Sequence, residues 1–146
     1  MTAVHAVIGI GVVAVNLAAG LLGSYRWWRA QTTRVFWPLL RAGQALVALA
    51  ALDGVILLAQ GRDLPELHLV YGLTPLAVSF LAEQLRLASA DTVLVAHDLE
   101  DAQAMRGLPE AEQQAIVLAI LRRELGVMAA SALVVTVLAL RAGGWL

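Results

Sequence analysis

Neither cysteine nor lysine occurs among the 146 residues of this chain, and each absence excludes a class of chemistry. Without thiols there are no disulfides, no Cys-ligated metal centres and no thiol nucleophiles. All ten basic residues are arginine, so no lysine amine is present to act as a base or to form a Schiff base.

Charged residues are also few, at 14% of the chain against about a quarter in a typical soluble domain. Hydrophobic residues make up 60%, and the mean hydropathy is +0.78. The net charge of −1 gives no electrostatic reason to expect a nucleic-acid partner. This composition predicts an integral membrane protein with a single domain, residues 1–146.

Four apolar segments are long enough to cross a bilayer. A helix rises about 1.5 Å per residue, so about 20 residues span the roughly 30 Å of hydrocarbon. We therefore predict an all-α fold, an up-down bundle of four transmembrane helices. The predicted spans are residues 3–23, 35–60, 67–88 and 125–143.

The distribution of arginine predicts the direction of these spans. Cytoplasmic connections are enriched in arginine, which places both termini outside the cell membrane. Tryptophans at the first connection would form an inner aromatic belt, with Tyr71 and Trp145 on the outer one. Eight arginines lie at or near the first and third connections (26, 29, 34, 41, 86, 106, 122 and 123), and two lie on the other side (62 and 141).

The third helix has no obvious end at the membrane surface, because neither Gly nor Pro occurs between Pro75 and Gly107. The segment 107–110, Gly-Leu-Pro-Glu, is typical of a helix end followed by a new helix start. Helices three and four are therefore predicted to extend into an antiparallel cytoplasmic hairpin over residues 89–124. The alternative is a loop with one short surface helix. Apolar residues that repeat at helical spacing there include Val95, Leu99, Ala111, Ala115, Leu118 and Leu121.

A first group of polar residues is predicted to share the outer leaflet, since polar groups at membrane depth normally face the bundle. His5 and His68 each begin a helix that runs inward, and Tyr71 lies one turn below His68. Asp53 lies about two turns below the outer end of helix two. Pro75 is expected to kink helix three and to leave the Tyr71 carbonyl without its helical donor. Two interpretations are open: interfacial histidines bonded to water or head groups, or metal or haem ligation by His5 and His68.

A second group is predicted in the inner leaflet, where Glu83 and Arg86 form an (i, i+3) pair that Arg41 approaches from helix two. One interpretation is an ion-pair clasp between helices. The other is a lipid or quinone site lined by Arg41, Gln44 and Glu83. Asn16 lies at a similar depth in helix one. On the hairpin, His97 and its acidic neighbours are interpreted as a solvated face rather than a cation site.

The placement of these residues resembles small haem-b membrane proteins with four helices, such as the CopD-like and HemJ-like groups. The likeness lies in a His at the start of helix one, an Arg-rich turn after it, and a third helix that opens Leu67-His68-Leu69-Val70-Tyr71. The resemblance implies haem b held by His5 and His68, and it implies nothing about a substrate. HemJ-like enzymes use a lysine in the third helix, which this chain does not have, so protoporphyrinogen oxidation by that route is not implied.

Three functions remain open at this point. The first is a haem-b protein for redox chemistry or haem handling, with Asp53 or Tyr71 beside the ligands. The second is a non-catalytic accessory subunit that docks other membrane subunits through the hairpin. The third is a lipid or quinone binder at the inner leaflet. These alternatives leave open whether the chain is an enzyme.

Overall fold

Four long α-helices make up most of the computed structural model, which describes residues 3–31, 33–62 and 66–146. No β-strand occurs in these residues, which confirms the predicted all-α class. The helices are α1 (Ala3–Trp28), α2 (Phe36–Ala59), α3 (Glu66–Ala96) and α4 (Glu110–Ala142), with a 3₁₀ turn at Ala104–Gly107.

Three of the helices, α1, α2 and α4, are long and apolar enough to cross a membrane, as expected of a membrane protein. Helix α3 is 31 residues long but is not one of the three. It carries Glu83, Arg86 and Asp91 and has Pro75 inside it, and these residues lower its mean hydropathy. A fourth crossing by α3 therefore stays a prediction.

Helices that are consecutive in the chain run antiparallel. The start of α1 meets the end of α2 through His5 and Asp53, and the start of α3 meets the end of α4 through His68 and Ala142. Helix α1 also packs along α4, whereas α2 packs on α3 more loosely. We call the end where α1 and α3 begin the histidine end, and the opposite end the arginine end.

Small residues on α1 allow α2 and α4 to approach it closely. A Cβ atom added at Gly23 would lie 2.5 Å from Cε2 of Phe36 and 2.7 Å from Cβ of Ala129. Phe36 and Ala129 belong to a buried cluster that also contains Leu40 and Met128. The cluster joins all four helices near the arginine end, because it also includes Ala82 of α3.

Helix α3 ends at Ala96, earlier than the helix end that the sequence predicted at Gly107. Asp98 adopts a left-handed conformation with φ of +56°, and the Leu99 amide donates back to the Leu94 carbonyl at 3.0 Å. These are features of a Schellman-type helix end, in which Asp takes the place usually held by Gly. The side chain of Asp101 then accepts bonds from the amides of Gln103 and Ala104, which opens the 3₁₀ turn.

Helix α4 begins at Glu110 after Pro109, as the Gly-Leu-Pro-Glu segment predicted. The apolar stripe predicted for the α3–α4 hairpin is out of register, however. Val95 and Leu118 are 71% and 55% exposed, whereas Leu94 and Ile116 are 5% and 2% exposed. On α3 the buried position thus lies one residue before the predicted one.

Candidate functional site

A cavity of about 370 Å³ lies at the histidine end and is lined by residues of all four helices. Its walls are mostly apolar, and many of the lining residues are Gly or Ala. A methyl group added at Gly9 or at Gly72 would meet no described atom within 4 Å. Glycines on α1 and α3 therefore help to create the space. Polar or aromatic groups that line it are His5, His68, Tyr71 and Trp145.

His5 is fixed from α2, because its Nδ1 lies 2.9 Å from Oδ2 of Asp53. The side chains of His5 and Asp53 are 12% and 24% exposed, so the pair is largely removed from solvent. A ring N–H that donates to a carboxylate fixes the orientation of the imidazole and leaves the lone pair of the neutral ring on Nε2.

His68 is fixed from α4, because its Nδ1 lies 2.9 Å from the carbonyl oxygen of Ala142. Ala142 is the last residue of α4, and carbonyls in the final turn of a helix have no helical donor. The His68 ring thus completes the hydrogen bonding of that helix end. It is held through the same ring nitrogen as His5.

The two imidazoles face the same small region. Their ring centres are 5.8 Å apart, with an angle of 52° between the ring planes. Tyr71 and Pro75, one and two turns further along α3, also line the cavity. The guanidinium of Arg141 lies 5.8 Å from the centre of the Tyr71 ring. The structure therefore brings together the residues predicted for the outer group. These are His5, His68, Tyr71 and Asp53, of which Asp53 lies behind His5.

The second predicted group also comes together, at the seam between α2 and α3. Glu83 accepts hydrogen bonds from Arg41, from Gln44 at 2.9 Å and from Arg86 at 3.0 Å. Arg41 also donates to Gln44 at 2.6 Å. These groups bind one another, which favours the clasp, since a quinone or lipid head group would have to displace those bonds.

Asn16 does not join this group. Its amide donates to the Val12 carbonyl at 2.8 Å, and the residue is 2% exposed. Its side chain packs against Gly43 of α2, where an added Cβ would lie 2.8 Å from Oδ1. Asn16 therefore serves helix packing in this structure.

Two partners in these sites had no signal in the sequence. The Ala142 carbonyl is a backbone group, and any residue type supplies one. Glu124 approaches Arg86 at 3.9 Å from α4, and only the packing of α3 on α4 reveals it. Trp145, which the sequence predicts in the outer aromatic belt, also lines the cavity.

The acidic segment after α3 contains the third histidine, His97. Within the described residues no group of three or more His, Asp or Glu side chains is arranged to hold a metal ion. The Nδ1 atom of His97 bonds the Val93 carbonyl at 2.9 Å.

Comparison with known proteins does not assign this chain to a family. A scan against protein-family models and searches of curated proteins and of solved structures found no match.

Proposed function

We propose that this chain is a membrane protein that binds haem b at the histidine end, where His5 and His68 would hold the iron, for electron transfer or haem handling. The paired imidazoles carry the proposal. Two histidines from two different helices line one apolar cavity, and each is oriented through Nδ1. Histidines that bind metals in proteins are commonly oriented in this way.

The separation of the rings supports iron ligation. Two imidazoles that share one iron, with metal–nitrogen bonds of about 2 Å, can have ring centres up to about 6 Å apart. The observed separation is 5.8 Å. With the Nδ1 proton donated to Asp53 or to Ala142, the neutral ring has its lone pair on Nε2, the atom that would bind iron.

A bound haem b would supply a one-electron iron couple. The residues of this chain would orient the iron and tune the reduction potential of that couple. The Asp53 carboxylate makes His5 the more strongly donating ligand, and the Ala142 carbonyl has a weaker effect on His68. The apolar wall limits water, which favours a low local dielectric.

We further propose that all four helices cross the cell membrane as an up-down bundle, with both termini outside. The eight arginines at or near the first and third connections support this direction. In this arrangement the end of α3, the 3₁₀ turn and the start of α4 form a cytoplasmic hairpin, and the haem lies in the outer leaflet.

The absorption spectrum of the purified protein tests the haem proposal. Protein isolated from haem-replete membranes should be coloured, with a Soret band. His5→Ala and His68→Ala should each abolish or shift the band, because each removes one of the two side chains that would hold the iron. His97→Ala is the matched control, since the third histidine lies outside the cavity, and its spectrum should be unchanged.

A colourless preparation that takes up no added haem would overturn the proposal. The accessory-subunit function would then lead, supported by the exposed apolar side chains of Val117, Leu118 and Leu121 on α4. An unchanged spectrum in both His5→Ala and His68→Ala would show that haem binds elsewhere in the chain.

A further inference from the structure

A second cavity, of about 790 Å³, lies at the arginine end, where the α1–α2 connection faces α4, and we call it the arginine pocket. It lies at the opposite end from the histidine cavity and shares no lining residue with it. Three arginines and two tryptophans line it: Arg26, Arg34, Arg122, Trp27 and Trp37.

No carboxylate of the described residues neutralises the positive charge of this pocket. Across residues 3–31, 33–62 and 66–146, no carboxylate forms an ion pair with Arg26, Arg34 or Arg122. Arg26 donates to the neutral amide of Gln31 at 2.8 Å, and its Nε is buried with no hydrogen-bond partner among the described residues. By contrast, Arg41 pairs with Glu83 nearby. The pocket therefore has guanidinium donors available to an anion.

Apart from Gln31 and Thr33, the remaining walls are apolar or aromatic. The guanidinium of Arg122 stacks over the Trp27 ring at 5.5 Å from its centre. Trp27 can lie against α4 because residue 126 is glycine: a Cβ there would lie 2.7 Å from the indole nitrogen of Trp27. Leu118, Leu121 and Leu125 of α4 supply the large aliphatic side chains of the lining. A lining of arginines, leucines and indoles suits a ligand with an anionic head group and an apolar tail, rather than a small polar anion alone.

We propose that this pocket binds the phosphate head group of an anionic phospholipid, with an acyl chain against the leucines of α4. Tryptophan and arginine are typical of the level at which lipid head groups lie, and basic pockets between helices bind anionic head groups. Guanidinium groups suit phosphate because they offer paired donors in one plane. The site is independent of haem binding, since it uses other residues at the other end of the helices.

Quenching of tryptophan fluorescence by brominated lipids tests this site. Trp28→Phe and Trp145→Phe would leave only Trp27 and Trp37, both of which line the pocket. The protein is reconstituted in phosphatidylcholine bilayers, and brominated phosphatidylglycerol or brominated phosphatidylcholine is titrated in. Phosphatidylglycerol should quench at a several-fold lower mole fraction.

Substitution of the lining arginines should remove this preference. Arg26→Gln and Arg122→Gln should each weaken the apparent affinity for phosphatidylglycerol about fivefold. The matched controls are Arg29→Gln and Arg123→Gln, which remove the same charge from neighbouring residues outside the pocket and should change little. If a helix variant fails to fold, Arg34→Gln in the α1–α2 connection should give the same loss.

Three results would overturn the proposal. Equal quenching by the two lipids would show that the pocket does not select an anionic head group. An equal loss in the lining and control variants would show a general effect of surface charge. If millimolar inorganic phosphate competed fully with phosphatidylglycerol, the pocket would be a free-phosphate site instead.

Discussion

Both imidazoles at the histidine end are held through Nδ1, but their partners differ in charge. His5 bonds a carboxylate, whereas His68 bonds a backbone carbonyl. A carboxylate partner raises the basicity of an imidazole ligand more than a neutral carbonyl does. The two proposed ligands are therefore unequal, and Asp53 is the residue through which one of them can be tuned.

Asp53→Asn should weaken haem binding by about 10- to 100-fold, since outer partners of metal ligands typically contribute that much. The substitution keeps the size of the side chain but removes the negative charge behind His5. Titration of haem into the purified apoprotein, followed by absorbance, measures the effect. Asp91→Asn, an exposed residue of α3, is the control. Equal haem affinities in the two variants would show that Asp53 does not contribute to haem binding.

At the scale of single helices, the glycines of α1 serve two purposes. Near the arginine end, Gly20 and Gly23 permit close contact with α4 and with Phe36. Near the histidine end, Gly9 instead faces the cavity. The same residue type thus allows tight packing at one end of the helix and leaves space at the other.

Gly23→Ala should destabilise the protein by about 1–3 kcal/mol, because overpacking strains a close-packed contact. The gain in helix propensity, at most about 1 kcal/mol, offsets part of this cost. Gly9→Ala makes the same chemical change where the added methyl meets no neighbour within 4 Å, and it should be neutral or mildly stabilising. Thermal unfolding in detergent compares the two, and equal midpoints would contradict the packing described for α1.

Helices α2 and α3 are joined in different ways along their length. At the arginine end, Glu83 of α3 is clasped by Arg41 and Gln44 of α2. Toward the histidine end the cavity separates them, with Gly54 on one side and Gly72 on the other. The clasp thus holds together two helices that pack only loosely elsewhere.

At the scale of the whole molecule, the number of membrane crossings decides where each site lies. With four crossings, the histidine cavity is in the outer leaflet and the arginine pocket in the inner one. With three crossings, by α1, α2 and α4 only, the segment after α3 would lie outside and the C-terminus inside. The two topologies differ in the side on which Gln103 and Leu146 lie.

Because the chain has no native cysteine, single cysteines can report these positions without background. Four crossings predict that Gln60→Cys and Leu146→Cys react with a membrane-impermeant maleimide in intact cells. Gln31→Cys and Gln103→Cys should react only after lysis. Labelling of Gln103→Cys but not of Leu146→Cys in intact cells would support three crossings. Labelling of Gln31→Cys in intact cells would show that the orientation is the reverse of the proposed one.

The sequence alone was sufficient for the helical class, for the number of long helices and for the common level of His5 and His68 along them. A fixed rise per residue and alternating direction set that level without any knowledge of packing. The same reasoning placed Arg41, Gln44 and Glu83 together, and the structure has them in contact.

Only the tertiary structure decided which way each side chain turns and what it meets. Asn16 lies at a suitable depth for the clasp, but its side chain bonds the Val12 carbonyl instead. The buried position on α3 lies one residue before the predicted one. Both differences arise because rotation about a helix axis depends on the packing of the whole set of helices. The Ala142 carbonyl and the left-handed Asp98 are backbone features with no distinctive sequence pattern. The arginine pocket needs Arg26 and Arg122, far apart in the chain, to meet across α1 and α4, and only folding brings them together.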